Sequence, residues 1–197
     1  RITEMSIDDS KKTPLIAEAK FLRAFCYYQL VRDFGAVPLR LNSQEGDKPR
    51  TPVNEVYEAI ISDLQIAESD LPSTISEYGH PSKWAAKTML ADVYLTRENW
   101  NAARDKAMEV MEANQYALVQ ISQLDDWNNL FGGSANGTSE EIFYIKFNHQ
   151  VGGNGWPFYL CYDNTTKNPY GAYVLYSDPE NPFIQNWDNN DLRKQWD

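Results

Sequence analysis

SKWAAKTMLADVYLTRENWNAARDKAMEVMEAN, residues Ser82 to Asn114, is the stretch whose reading decides the fold. Ala86, Met89, Leu90, Val93 and Tyr94 recur at three- and four-residue steps and therefore share one helical face. Glu98 and Asn99 break the pattern with two polar residues, and Trp100, Ala103, Ala107, Val110 and Met111 begin a second stripe. The order Leu90-Ala91, Tyr94, Trp100, Ala103, Ala107 follows the tetratricopeptide pattern, in which small residues let antiparallel helices approach beneath large aromatics. Trp100 and Tyr94 read as the core of this hairpin. Such a unit cannot bury its apolar face alone and needs stacked neighbours.

The chain upstream supplies them. From Pro14 a strong helix is predicted through Phe34, apolar around most of its circumference, with Glu18, Gln29, Arg32 and Asp33 on one side. That pattern fits a helix buried between neighbours. Gly35 is the left-handed stop and Pro38 prevents continuation. Lys20 and Arg23 intrude on the apolar side; pairing with a carboxylate, or snorkelling, accounts for them better than a ligand contact does. Thr51-Pro52 then predicts a helix start with Thr51 as cap and Pro52 at the first helical position. Val53, Val56, Tyr57, Ile60, Leu64, Ala67 and Leu71 carry that helix until Pro72 ends it. Pro14 to Asn114 thus reads as about four helices, a bundle or short repeat array.

Composition narrows what such a chain does. Its 197 residues are 42% hydrophobic, enough for a core and close to the globular average. A net charge of −10 argues against nucleic acid and anionic lipid, both of which need clustered Lys and Arg. No apolar run reaches the roughly 20 residues of a membrane span. Cys26 and Cys161 make no disulfide framework; free buried thiols are the favoured reading, with a bridge between the two as the unsupported alternative. The chain opens on neither Met nor a secretory leader, so it reads as an excised piece whose start says nothing of export.

After Tyr116 the period changes. Ala117 to Val119 reads as a short extended piece before a turn at Asp125-Asp126-Trp127. Glu141 to Phe147 (EIFYIKF) is rich in strand formers and predicts a β-strand. Beyond it Gly, Pro, Asn and aromatics dominate. The expected architecture is therefore mainly α, a tetratricopeptide-like helical scaffold over residues 1–116. A loop-rich, partly β section follows over residues 117–197.

EAKFLRAFCYYQLVRDFGAVPL, Glu18 to Leu39, resembles the signature helix and exit of the SusD/RagB family of Bacteroidetes outer-membrane nutrient-binding lipoproteins. Thr51-Pro-Val-Asn-Glu-Val-Tyr57 through Asp70-Leu-Pro72, the hairpin from Lys83 to Asn114, and Ser139-Glu-Glu-Ile-Phe143 resemble the family's next elements in the same order. The resemblance covers Glu18 to Phe147. It implies a central part of a longer protein at the surface of the outer membrane, held by a lipid anchor that this chain does not contain. It further implies binding of glycans and oligosaccharides for delivery to a TonB-dependent SusC-like transporter, with no catalysis and no cofactor. The alternative from another class is a helical-repeat module that binds a peptide or protein in its groove.

A sugar ring presents an apolar C–H face between hydroxyls, so its site needs flat aromatics beside directional polar groups. Gly152-Gly-Asn-Gly-Trp-Pro-Phe-Tyr159 offers both. The candidate ligand residues are Trp156, Tyr159, Tyr162, Asp163, Asn164, Tyr170 and Tyr173, with Trp156 first. For any one of them, packing into the protein is the more ordinary role. Enzymatic readings are poorer. The neighbours Asp125-Asp126 and Glu140-Glu141 point apart in an extended chain, and no nucleophile elbow, phosphate loop or metal-spaced His/Cys set occurs. Asp188-Asn-Asn-Asp191 only faintly resembles a calcium loop, lacking its Gly and terminal Glu.

Overall fold

A computed structural model describes residues 6–42, 45–131, 137–145 and 182–192. The chain divides into two compact units. The first comprises Arg1–Leu118 with Ser139–Tyr144, and the second Val119–Thr138 with Ile145–Asp197.

The first unit is built on four helices, α1 (Asp9–Phe34), α2 (Val53–Asp70), α3 (Lys83–Thr96) and α4 (Trp100–Glu112). Each packs on the next in sequence, and α1 also touches α3. The core runs through Ala17, Phe21, Ala24, Tyr28 and Val31 of α1, Val56, Ile60, Leu64 and Ala67 of α2, and Ala86, Leu90 and Val93 of α3. The mainly helical expectation holds. Gly35 ends α1 at φ 66°, its N–H donating to the Val31 carbonyl at 3.0 Å. Asn99 caps α4 by accepting from the Ala102 N–H, and Glu98 turns the chain at φ 59°.

Five local expectations change. Helix α1 begins at Asp9, ahead of Pro14, because Asp8 caps it by accepting from the Ser10 N–H at 2.9 Å. Proline is accommodated inside that early segment at the loss of one backbone bond. Thr51 does not cap α2, which starts at Val53; its N–H donates to the Val37 carbonyl in an isolated antiparallel bridge. The Thr51 hydroxyl accepts from Leu39 N instead. Cys26 is exposed, since it lies on the side of α1 away from α2 and α3. Cys161 lies outside the described residues.

Trp100 is 61% exposed and Met111 75%, so α4 does not bury its aromatic stripe. Only Ala103 of α4 is buried, and ion pairs also tie the helix to the unit. Lys87 of α3 bridges Glu68 of α2 and Glu109 of α4, and Lys106 of α4 reaches Glu68 at 2.6 Å. Tyr94, by contrast, packs partly against the core as expected.

The strand expected at Glu141 is absent over 141–145; the remainder, Lys146 and Phe147, lies outside the described residues. Ile142 and Phe143, consecutive in sequence, both pack against the helical core. A strand would alternate them. The β-rich composition is thus satisfied by helix packing, and the Ala117 N–H to Ser139 carbonyl bond at 2.9 Å anchors the segment.

In the second unit the described residues form a 3-10 turn at Leu124–Asp126, then α5 (Trp127–Phe131) and α6 (Pro182–Gln185). Among the described residues no helix is long and apolar enough to cross a membrane.

Candidate functional site

The residues proposed from sequence to meet a ligand, Trp156, Tyr159, Tyr162, Asp163, Asn164, Tyr170 and Tyr173, all lie outside the described residues. What the structure positions is the face of the helical unit where a repeat protein would offer a groove.

That face is shared by α1 and α3. Amphipathic spacing brings Phe21, Phe25 and Tyr28 of α1 opposite Ala85 and Met89 of α3. The 139–144 segment then seats Phe143 on them, its ring edge-on to Phe21 at 5.0 Å and to Phe25 at 6.0 Å between centroids. Such edge-to-face pairs contribute about 1 kcal/mol beyond area burial. A cleft of about 220 Å³ remains, with Gln29, Thr88 and Asp92 among its polar lining. Thr88 and Asp92 stand one helical turn apart, a spacing readable in sequence but not singled out there.

Tyr28, Thr88 and Asp92 of the cleft are already engaged. The buried Tyr28 hydroxyl donates to Asp92 Oδ2 at 2.9 Å and lies 2.8 Å from Thr96 Oγ1. Burial, above all, raises the Tyr28 pKa, so the phenol stays protonated and acts as a fixed donor. Thr88 Oγ1 donates to the Trp84 carbonyl. The chain's own Ile142 and Phe143 thus occupy part of the groove expected of a peptide-binding repeat and line the cleft that remains.

The charged residues weighed for other chemistry take structural roles. Lys20 and Arg23 both bind Asp63, as the pairing expectation held. Asp126 accepts from the Ser122 and Gln123 N–H groups at 2.8 and 3.0 Å, which lower its pKa. It serves as an ionised cap. His80 Nδ1 lies 2.7 Å from Glu18 Oε1. At the calcium-like sequence, Asp188 accepts from the Asn190 N–H, and the Trp187 indole donates to Asp191 at 3.0 Å. Among the described residues no three His, Cys, Asp or Glu side chains gather to hold a metal ion.

Comparison with known proteins gives this architecture its class. A sequence profile of a SusD-like family described as "Starch-binding associating with outer membrane" matches residues 2–95. SusD-like protein P2 of Formosa agariphila is 35% identical over 198 residues, covering 95% of this chain and 39% of the relative. A SusD-like carbohydrate-binding protein from Bacteroides fragilis superposes with a TM-score of 0.67 at 27% identity, over 79% of this chain and 31% of that one. A laminarin-binding SusD-like protein superposes with a TM-score of 0.63 at 28% identity, over 73% and 32%. The fold is thus the tetratricopeptide-like helical fold of SusD-like proteins.

The chain belongs to the SusD-like family. It spans about two fifths of the length of P2.

Proposed function

We propose that this chain serves a non-catalytic, glycan-binding protein of the outer-membrane surface. The observation that carries the reading is family membership together with relatives whose known ligands are carbohydrates, laminarin among them. The packing of Ile142 and Phe143 on the α1–α3 face supports a scaffold role for the helices, residues 1–116. It also weighs against a peptide held in that groove. Residues 117–197 are assigned the ligand. There Trp156, Tyr159, Tyr162, Tyr170 and Tyr173 supply faces for sugar rings, and Asp163 and Asn164 accept from or donate to hydroxyls. The bound oligosaccharide passes to a TonB-dependent SusC-like transporter, and the attachment to the membrane is a lipid anchor.

Isothermal titration against laminarin, xyloglucan and starch oligosaccharides tests the ligand class. Saturable binding of at least one glycan, without its cleavage, is expected. Failure of every glycan beside tight binding of a peptide would overturn it. Co-purification of the anchored protein with a TonB-dependent transporter from outer membranes tests the partner; recovery of the protein alone would count against delivery.

A further inference from the structure

The cleft between α1 and α3 joins an apolar part to a polar one. Phe25 of α1, Met89 of α3 and Phe143 of the 139–144 segment give it apolar walls. Gln29 stands one turn beyond Phe25, and Asp92 one turn beyond Thr88. The Tyr28–Asp92 bond sets Gln29 and Asp92 at one level of the face. What these three polar groups have left to offer is mainly acceptor capacity. Thr88 has committed its hydroxyl hydrogen to the Trp84 carbonyl, so only its oxygen lone pairs remain. The Asp92 carboxylate accepts from Tyr28 at Oδ2, with the Arg32 guanidinium 4.0 Å away, beyond hydrogen-bond reach. Its Oδ1 has no partner among the described residues. Gln29 brings an amide donor as well as a carbonyl, and its side chain likewise has no hydrogen-bond partner among the described residues.

We propose that this cleft binds a small aromatic amine as its ammonium ion. The ring lies among Phe25, Met89 and Phe143, and the N–H groups meet Asp92 Oδ1, Thr88 Oγ1 and the Gln29 carbonyl. Three observations select that ligand. An ammonium group has donors and no acceptor, the complement of a rim whose free capacity is mainly acceptor. The charge also fits: Asp92 is the charged group of the lining, and the chain as a whole carries −10, so a cation is drawn in and a carboxylate repelled. Size sets the rest. A cleft of about 220 Å³ is smaller than the roughly 300–1,000 Å³ of drug-sized ligand sites, which suits one ring with a short tail and leaves no room for a peptide. The inference rests on the helical unit alone and is independent of glycan binding.

Ligand-observed NMR titration of the 197-residue chain with phenethylamine at neutral pH tests it. Two analogues run beside it: phenylpropionate, which reverses the charge, and phenethyl alcohol, which removes it. Saturable binding of the amine is expected, about fivefold tighter than either analogue, the worth of one ion pair at a carboxylate whose side chain is 53% exposed. That advantage should shrink in about 0.5 M salt, which screens an exposed charge pair. Asp92→Asn should abolish the advantage, and Phe25→Ala should weaken the amine and the alcohol alike. Because Asp92 also holds the Tyr28 hydroxyl, the salt response of the parent reads the charge with no substitution at all. Absence of saturable amine binding, equal binding of amine and carboxylate, or amine binding untouched by Phe25→Ala would each overturn the inference. So would displacement of the amine by laminarin oligosaccharides, since the cleft would then be a sugar site.

Discussion

Asp63 shows how single residues hold the helical unit together. Its side chain is only 6% exposed, and it accepts from Lys20 Nζ at 2.9 Å and from Arg23 Nε and Nη2 at 2.6 and 2.8 Å. The same bonds hold the Arg23 guanidinium pKa up, and Arg23 also donates to the Leu41 carbonyl. One carboxylate on α2 thus satisfies both cations that interrupt the apolar side of α1. Removing it strands two partly exposed charges beside a core. Asp63→Asn should lower stability by about 2 kcal/mol in urea unfolding, less than a fully buried pair because Lys20 and Arg23 keep solvent. The sequence made the need for a partner legible, since Lys20 and Arg23 sit where apolar residues belong. It did not identify Asp63, because an acidic residue on the inward side of α2 looks like any other until the helices are docked.

At the scale of elements, ends follow local chemistry more simply than beginnings. Gly35 and Pro72 mark the stops of α1 and α2 because backbone conformation alone imposes them. Gly35→Ala meets nothing within 4 Å, so its whole cost is conformational. It should destabilise the unit by about 1–2 kcal/mol in thermal unfolding, whereas Gly46→Ala, equally unobstructed and without the positive φ, should be near neutral. The start of α1 was less legible, because Asp8 and Pro14 compete as signals and the cap prevails. The packing of α4 was misread for a related reason. Periodicity records which residues share a face, while ionic contacts decide which face turns inward. Glu109 is held below its ordinary pKa of 4.5 first by its bond to Lys87, then by Lys106. Its contribution is therefore complete above that value and is lost as the pH falls through the lower folded-state value. Acid unfolding should begin closer to neutral in Glu109→Gln than in the parent, whose extra stability should fade below about pH 4.5. Burial pulls the Lys87 pKa down, but its bonds to Glu109 and Glu68 outweigh that and leave it raised. The corresponding loss on that side comes only as the pH rises past 10.5.

For the whole molecule, the scaffold was readable because helical spacing and the ordered signatures from Glu18 to Phe143 are local patterns repeated along the chain. The candidate site was readable only as composition. Aromatics and Asn in Gly- and Pro-rich text state what chemistry is available near Trp156, but no period fixes which rings face a ligand. Ile142 and Phe143 carry the same lesson, since their strand-like composition serves helix packing instead. The central claim is that glycan is held by the aromatic stretch following residue 152 and not by the exposed rings of the helices. Titration of the parent protein, Trp156→Ala and Trp100→Ala with the best-binding oligosaccharide tests it most directly. The account predicts at least about a tenfold loss of affinity for Trp156→Ala, the equivalent of ~1.4 kcal/mol, and unchanged affinity for Trp100→Ala. Unchanged binding by Trp156→Ala with loss at Trp100→Ala would contradict it.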